Sequence, residues 1–230
     1  MTGLQNGRAG RRAFIAGTLA SGALLVSGCA STGGYSLTEA IRRLLFLSSE
    51  RAFARLVAPG GFWDAQVAQV GLGNIMGTRG DILSSILTST LFKDRLEDAF
   101  ADLAIEGAER AAPLVADAVR VVGIDAAEAL VRGGPTAATA FLRGEMGGTL
   151  VEAMVPELGQ AIRVARDPVI GDAIARLSGI DVPAVAARFS NTVNEAIWSE
   201  IGAEEAAIRR NPRATNDPLL IGVFALAARI

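Results

Sequence analysis

Between Leu37 and Ile208 the apolar residues recur three or four positions apart, and nowhere over a useful length do they alternate with polar ones. Leu37, Ile41, Leu44, Leu45, Ala52 and Leu56 keep this spacing. So do Leu96, Phe100 and Leu103, and again Val193, Ile197, Ile201 and Ile208. An apolar stripe with that period lines one face of an α-helix, whereas a half-buried strand needs a period of two. The period therefore predicts an all-α chain: a single multi-helix domain of about eight or nine helices with no significant sheet.

Punctuation between the periodic runs places the helices. Ser36-Leu37-Thr38-Glu39 is a capping box, in which serine and glutamate satisfy free backbone donors at a helix start. Pro59-Gly60-Gly61 ends that helix, and Phe62 to Arg79 reads as the least regular part of the chain. Its Gly71-Leu72-Gly73-Asn74-Ile75-Met76-Gly77 lacks the upstream strand and the glycine spacing of a phosphate cradle. From Asp81 a helical pattern runs to Val122, with Pro113 expected to kink or split it. Asp125 and Glu128 start a short helix that Gly133-Gly134 stops. Pro135 fits the first turn of another, covering Ala137 to Arg143 and on to Val155 before Pro156 restarts it. Asp167-Pro168 and Asp181-Val182-Pro183 are further start signals. The longest late helix runs from Pro183 to Asn211, where Asn211-Pro212 terminates it and Glu205 and Arg209 form an i,i+4 pair. Leu219 to Ile230 is apolar, too short for a bilayer span, and expected to dock on the core.

A different pattern precedes Ser36. Three arginines (Arg8, Arg11, Arg12) without an acid lead into the 16-residue apolar run Ala13 to Gly28, the layout of an export signal and short for a membrane span. The run ends in Val26-Ser27-Gly28-Cys29, which resembles the lipobox of bacterial lipoproteins, where the thiol is acylated and the chain is cut just before it. This reading makes 1–28 a cleaved signal peptide, 29–35 a lipidated tether and 36–230 the helical domain. It also accounts for a single cysteine, since the thiol would be consumed by lipid rather than left unpaired in an oxidising compartment. A fully acylated anchor holds stably to a membrane. Ala30 follows the cysteine where an aspartate would signal inner-membrane retention, so the expected location is the periplasmic face of the outer membrane. Arg11-Arg12-Ala13-Phe14-Ile15 looks like the twin-arginine export pattern. Ordinary signals also carry adjacent basic residues, so both export routes stay open.

Charge and composition narrow the chemistry. Cutting before Cys29 leaves 202 residues with 19 basic and 24 acidic side chains, a net charge of −5. At that charge, and with no basic stripe interleaved with aromatics, neither nucleic acid nor an anionic lipid surface is an expected partner of the chain as a whole. Histidine is absent, which removes the commonest general base and transition-metal ligand. An acylated Cys29 removes thiolate chemistry as well. Ser89 and Lys93 sit at i,i+4, but Lys93 is also i,i+4 from Glu97, and a catalytic lysine needs its charge suppressed. Glu200, Glu204 and Glu205 could hold a hard cation; acids on a helix surface are more often simply solvated. The expectation is a non-enzymatic protein without catalytic residues, metal or cofactor.

Four stretches carry a family resemblance. They are AFADLAIEGAERAAP (Ala99–Pro113), IDAAEALVRGGPTAATAFLR (Ile124–Arg143), the TLVEAMVPEL that follows, and EAIWSEIGAEEAAIRRNPRATNDPLLIGVF (Glu195–Phe224). In order over 38–224, they resemble the uncharacterised bacterial proteins grouped as domain of unknown function family 4197, many of which look like lipoproteins. The segment after Gly60-Gly61-Phe62 departs from that family. The resemblance implies a helical, envelope-associated protein of unassigned role and carries no catalytic residues over. Its recurrent polar positions fall here on Asp125, Thr139, Arg143, Glu205, Arg209 and Asn211. The plainer reading is that Asp125 caps a helix, Glu205 and Arg209 pair, and Asn211 ends a helix before proline.

Two functions fit. One is an interaction or structural lipoprotein with an envelope protein as partner and the membrane engaged through Cys29. The alternative is a periplasmic binder of a lipid or other apolar small molecule in a cavity between helices.

Overall fold

The computed structural model describes residues 36–59, 61–76, 90–163 and 182–227. Cys29, Arg11, Arg12, the 29–35 stretch, Arg79, Ser89, Asp167-Pro168 and Asp181 lie outside them. The described residues fall within one compact unit, Tyr35–Ile230. Among them are nine α-helices and no strand, so the chain is all-α. The helices are α1 (Leu37–Leu56), α2 (Phe62–Val70), α3 (Leu72–Met76), α4 (Thr90–Val121), α5 (Ala127–Arg132), α6 (Ala137–Met146), α7 (Thr149–Arg163), α8 (Val182–Arg210) and α9 (Pro218–Ala227), with a 3-10 turn at Pro212–Thr215.

Helix α1 begins at the expected cap: the Ser36 hydroxyl accepts the Glu39 backbone N–H at 3.2 Å, while the Glu39 carboxylate lies 3.6 Å from Arg42. Its periodic residues Ile41, Leu44, Leu45, Ala52 and Leu56 are all fully buried. They pack chiefly on α8 and α4, and α8 in turn covers α7, so α1 and α8 form the centre of the fold. The two run antiparallel. Arg43 near the start of α1 meets Asp217, just past the end of α8, at 3.0 Å, while Arg55 near the end of α1 bridges Glu200 and Glu204 within α8 at 2.7 and 2.6 Å.

Four details differ from the sequence reading, each for a physical reason. Phe62 to Met76 is helical rather than irregular. Trp63 is buried and its indole N–H donates to the Leu56 carbonyl at 2.7 Å, which fastens α2 to the end of α1. Gly71, at φ +78°, then lets the chain turn straight into α3.

Pro113 does not split α4. It lies on the solvent side, opposite the buried seam Phe100, Ala104, Ala108, Ala111, Val115 and Val119, where water can satisfy the freed Glu109 carbonyl. Pro156 likewise lies inside α7. The break after α6 comes instead at Gly147, whose φ of +54° is strained for any side chain. Asp125, finally, caps nothing: the residue before α5 is Ala126, and no side-chain bond caps that start.

Helix α9 docks as its apolar sequence predicts, with Leu220, Val223 and Phe224 buried. The Asp217 carboxylate caps it by accepting the Leu219 and Leu220 N–H groups at 2.9 and 3.2 Å.

Candidate functional site

The stripe that α8 turns inward runs Val193, Ile197, Ile201 and Ile208, and the turn between the last two presents Glu205. Its carboxylate is fully buried at a position where the period calls for an apolar side chain. A buried carboxylate persists only when paired and hydrogen-bonded. Here it receives four bonds. Oε1 accepts the Ala138 N–H at 3.0 Å and Arg209 Nε–H at 2.7 Å; Oε2 accepts the Thr139 N–H at 2.7 Å and the Thr139 hydroxyl at 2.6 Å.

Ala138 and Thr139 are the second and third residues of α6, whose first N–H groups have no partner within the helix. Thr136, which precedes α6, makes no side-chain cap bond. Glu205 therefore caps α6 from another helix, its negative charge set at the positive end of the α6 dipole.

Arg209 performs the opposite task one turn later. Its two terminal nitrogens donate to the Leu130 and Val131 carbonyls at 2.9 and 3.1 Å. These belong to the last turn of α5, where carbonyls are free and the dipole is negative. The guanidinium carbon lies 4.8 Å from the Phe224 ring centroid, so α9 roofs the cation with an aromatic face. One i,i+4 ion pair on α8 thus holds the end of α5, the start of α6 and, through Phe224, helix α9.

Two glycines make room for this joint. A Cβ on Gly202 would lie 3.2 Å from Thr136 Cγ2, so α8 approaches the α5–α6 connection more closely than a side chain allows without a shift. A Cβ on Gly133 would fall 2.6 Å from the Ala137 Cβ. The connection Gly133-Gly134-Pro135-Thr136 can therefore fold back only with glycine at its first position.

Of the six polar positions singled out from sequence, the structure joins three, Thr139, Glu205 and Arg209, in this one cluster. Arg143, one turn further along α6, pairs with Glu195 on α8 as a largely exposed second tie across the same seam. Asn211 is exposed and acts through its backbone: its N–H donates to the Ala207 carbonyl at 3.0 Å, and its carbonyl accepts the Ala214 N–H at 3.1 Å, joining α8 to the 3-10 turn. Asp125 stands apart, exposed on a shallow depression lined by Asp125, Ala126, Glu128, Ala129 and Arg132.

A carboxylate offers about four acceptor sites, and those of Glu205 are filled by groups of the chain itself. Glu200 and Glu204 are both engaged by Arg55 whereas Glu205 turns inward to α6 and Arg209, so the three glutamates do not converge on one metal ion. Lys93 pairs with Glu97 at 3.3 Å. Leu72–Met76, within the glycine-rich stretch, is helix rather than a loop. Sequence reasoning paired Glu205 with Arg209 but missed that the pair serves helices some seventy residues upstream. The gap in the stripe between Ile201 and Ile208, filled by glutamate, is the signal that pointed inward.

The model of the family described as "Protein of unknown function (DUF4197)" matches residues 32–225. No curated protein and no solved structure matches the chain.

Proposed function

We propose a function from one premise: the chain belongs to the DUF4197 family of proteins of unknown function. It acts as a lipid-anchored helical component of a bacterial cell envelope, held at the periplasmic face of the outer membrane, where it binds or braces another envelope protein. The observation that carries this reading is the order of segments before the domain: the arginines, the 16-residue apolar run, and Val26-Ser27-Gly28-Cys29 placed to be cut and acylated. Ala30, in place of a retention aspartate, supports the outer membrane.

The buried polar groups of the domain support a structural role over a chemical one. Glu205 and Arg209 are engaged in closing helix ends, and Glu200 and Glu204 tie α8 to α1.

The test is Cys29→Ala in the producing bacterium. The variant accumulates as uncleaved precursor or leaves the membrane fraction; unchanged processing and partitioning would refute the anchor. Crosslinking in the intact envelope should then capture a discrete protein partner of the native form. Native mass spectrometry of the envelope-purified protein addresses the competing role, because a defined apolar mass lost on unfolding would replace the partner reading with that of a ligand carrier.

A further inference from the structure

The domain's charge is unevenly placed. Near the start of α1 stand Glu39, Arg42 and Arg43; Arg210 ends α8, and Arg213 and Asp217 follow it. The Arg43–Asp217 contact at 3.0 Å brings these two stretches to the same end of the molecule. Four arginines against two carboxylates give these two stretches a net charge of +2. The chain from Ser36 onward carries 19 basic and 24 acidic residues, so everything else holds fifteen basic and twenty-two acidic groups, a net −7. Arg43, Arg210 and Arg213 are exposed, and Arg42 is half-buried with an Nε–H that has no acceptor. Leu37, one of three exposed large apolar side chains among the described residues, begins the same helix.

We infer that this end of the domain is its bilayer-facing surface, with Arg42, Arg43, Arg210 and Arg213 contacting anionic phospholipid headgroups. The inference rests on the lipid-anchor reading: Ser36, where the chain enters the domain at this same end, lies only seven residues after Cys29. Arginines near an anionic leaflet are attracted to it individually. The acidic remainder is repelled by the same field, so the two effects turn the domain in one direction. The reach of that field is short. Residue 54, exposed on α1, lies eleven positions beyond Arg43 and thus about 16 Å further along the helix, about two Debye lengths at physiological salt.

The experiment uses the full acylated protein reconstituted into phosphatidylcholine vesicles with or without phosphatidylglycerol. Because acylation consumes the Cys29 thiol, Ala214→Cys and Ala54→Cys each offer a single site for a fluorophore, and headgroup-spin-labelled lipid serves as quencher. With phosphatidylglycerol present, the label at 214 should be quenched several-fold more than that at 54. The contrast should vanish in neutral vesicles and when Arg210→Glu and Arg213→Glu are combined. Equal quenching at both positions would overturn the orientation. A contrast that persists without anionic lipid or after charge reversal would overturn the headgroup contacts. Absence of the protein from every vesicle fraction would instead sink the anchor reading and this inference with it.

Discussion

Replacing Glu205 by alanine removes the acceptor that Ala138 N–H, Thr139 N–H, the Thr139 hydroxyl and Arg209 Nε–H share. Three of those donors then sit beside a cavity at a fully buried position, and Arg209, nine-tenths buried, loses the carboxylate it pairs with. Breaking a buried pair from one side costs about 3–5 kcal/mol. Arg209→Ala should cost less, about 2–3 kcal/mol: the bonds to two carbonyls, the Glu205 ion pair and the Phe224 contact are lost, but Glu205 keeps three donors from α6 and so stays hydrogen-bonded. Thr139→Ala, which keeps the backbone N–H bond and loses one hydroxyl, should cost about 1 kcal/mol. Urea denaturation followed by circular dichroism on the three variants and the Glu205→Ala/Arg209→Ala double variant gives the ordering and the coupling. If Glu205→Ala cost under about 1 kcal/mol, or less than Arg209→Ala, the carboxylate would not be the keystone its bonds imply.

Three further substitutions test other contacts. Gly133→Ala should destabilise by about 1–3 kcal/mol through its 2.6 Å clash with Ala137, although its backbone suits any residue; Gly134→Ala, with open space around the new methyl, is the matched control, and equal effects in thermal melts would refute the steric account. Ser190 is fully buried with an unpartnered hydroxyl, so Ser190→Ala should be neutral or stabilising by about 1 kcal/mol; a clear drop in the denaturation midpoint would mean that the hydroxyl has a partner. Arg55→Ala removes two short ion pairs but from a half-exposed guanidinium, and should cost less than about 1 kcal/mol, with a larger loss in salt-titrated melts counting against a surface role.

The helices of this fold could be read from sequence where their stripes were long and their caps were side chains. Ser36 announced α1, and Val193 to Ile208 announced α8. Reading failed where structure came from tertiary contact. Helix α2 has a glycine before it and only two buried residues, Trp63 and Val67, so neither cap nor period revealed it. Asp125 looked like a cap because Asp three residues before Glu commonly is one, whereas the start of α5 has no side-chain cap. Pro113 looked like a break because an interior proline removes a helix hydrogen bond, although the stripe through Phe100 sets it on the side facing water. In the joint, the i,i+4 spacing of Glu205 and Arg209 was visible but its use was not, since the Ala138, Thr139, Leu130 and Val131 backbone groups that it satisfies are set by how α8 crosses the α5–α6 connection.

The joint also imposes an order on the making of the protein. Helix α5 has six residues and α6 has ten, both too short to persist alone in water, and the side chains that finish their ends lie 66 to 79 positions later in the chain. At about 5–20 residues per second a ribosome needs roughly 3–16 s to supply them. Through that interval the ends of α5 and α6 lack the side chains that close them in the folded protein. The α5–α6 segment can therefore acquire its finished helix ends only after α8 has emerged.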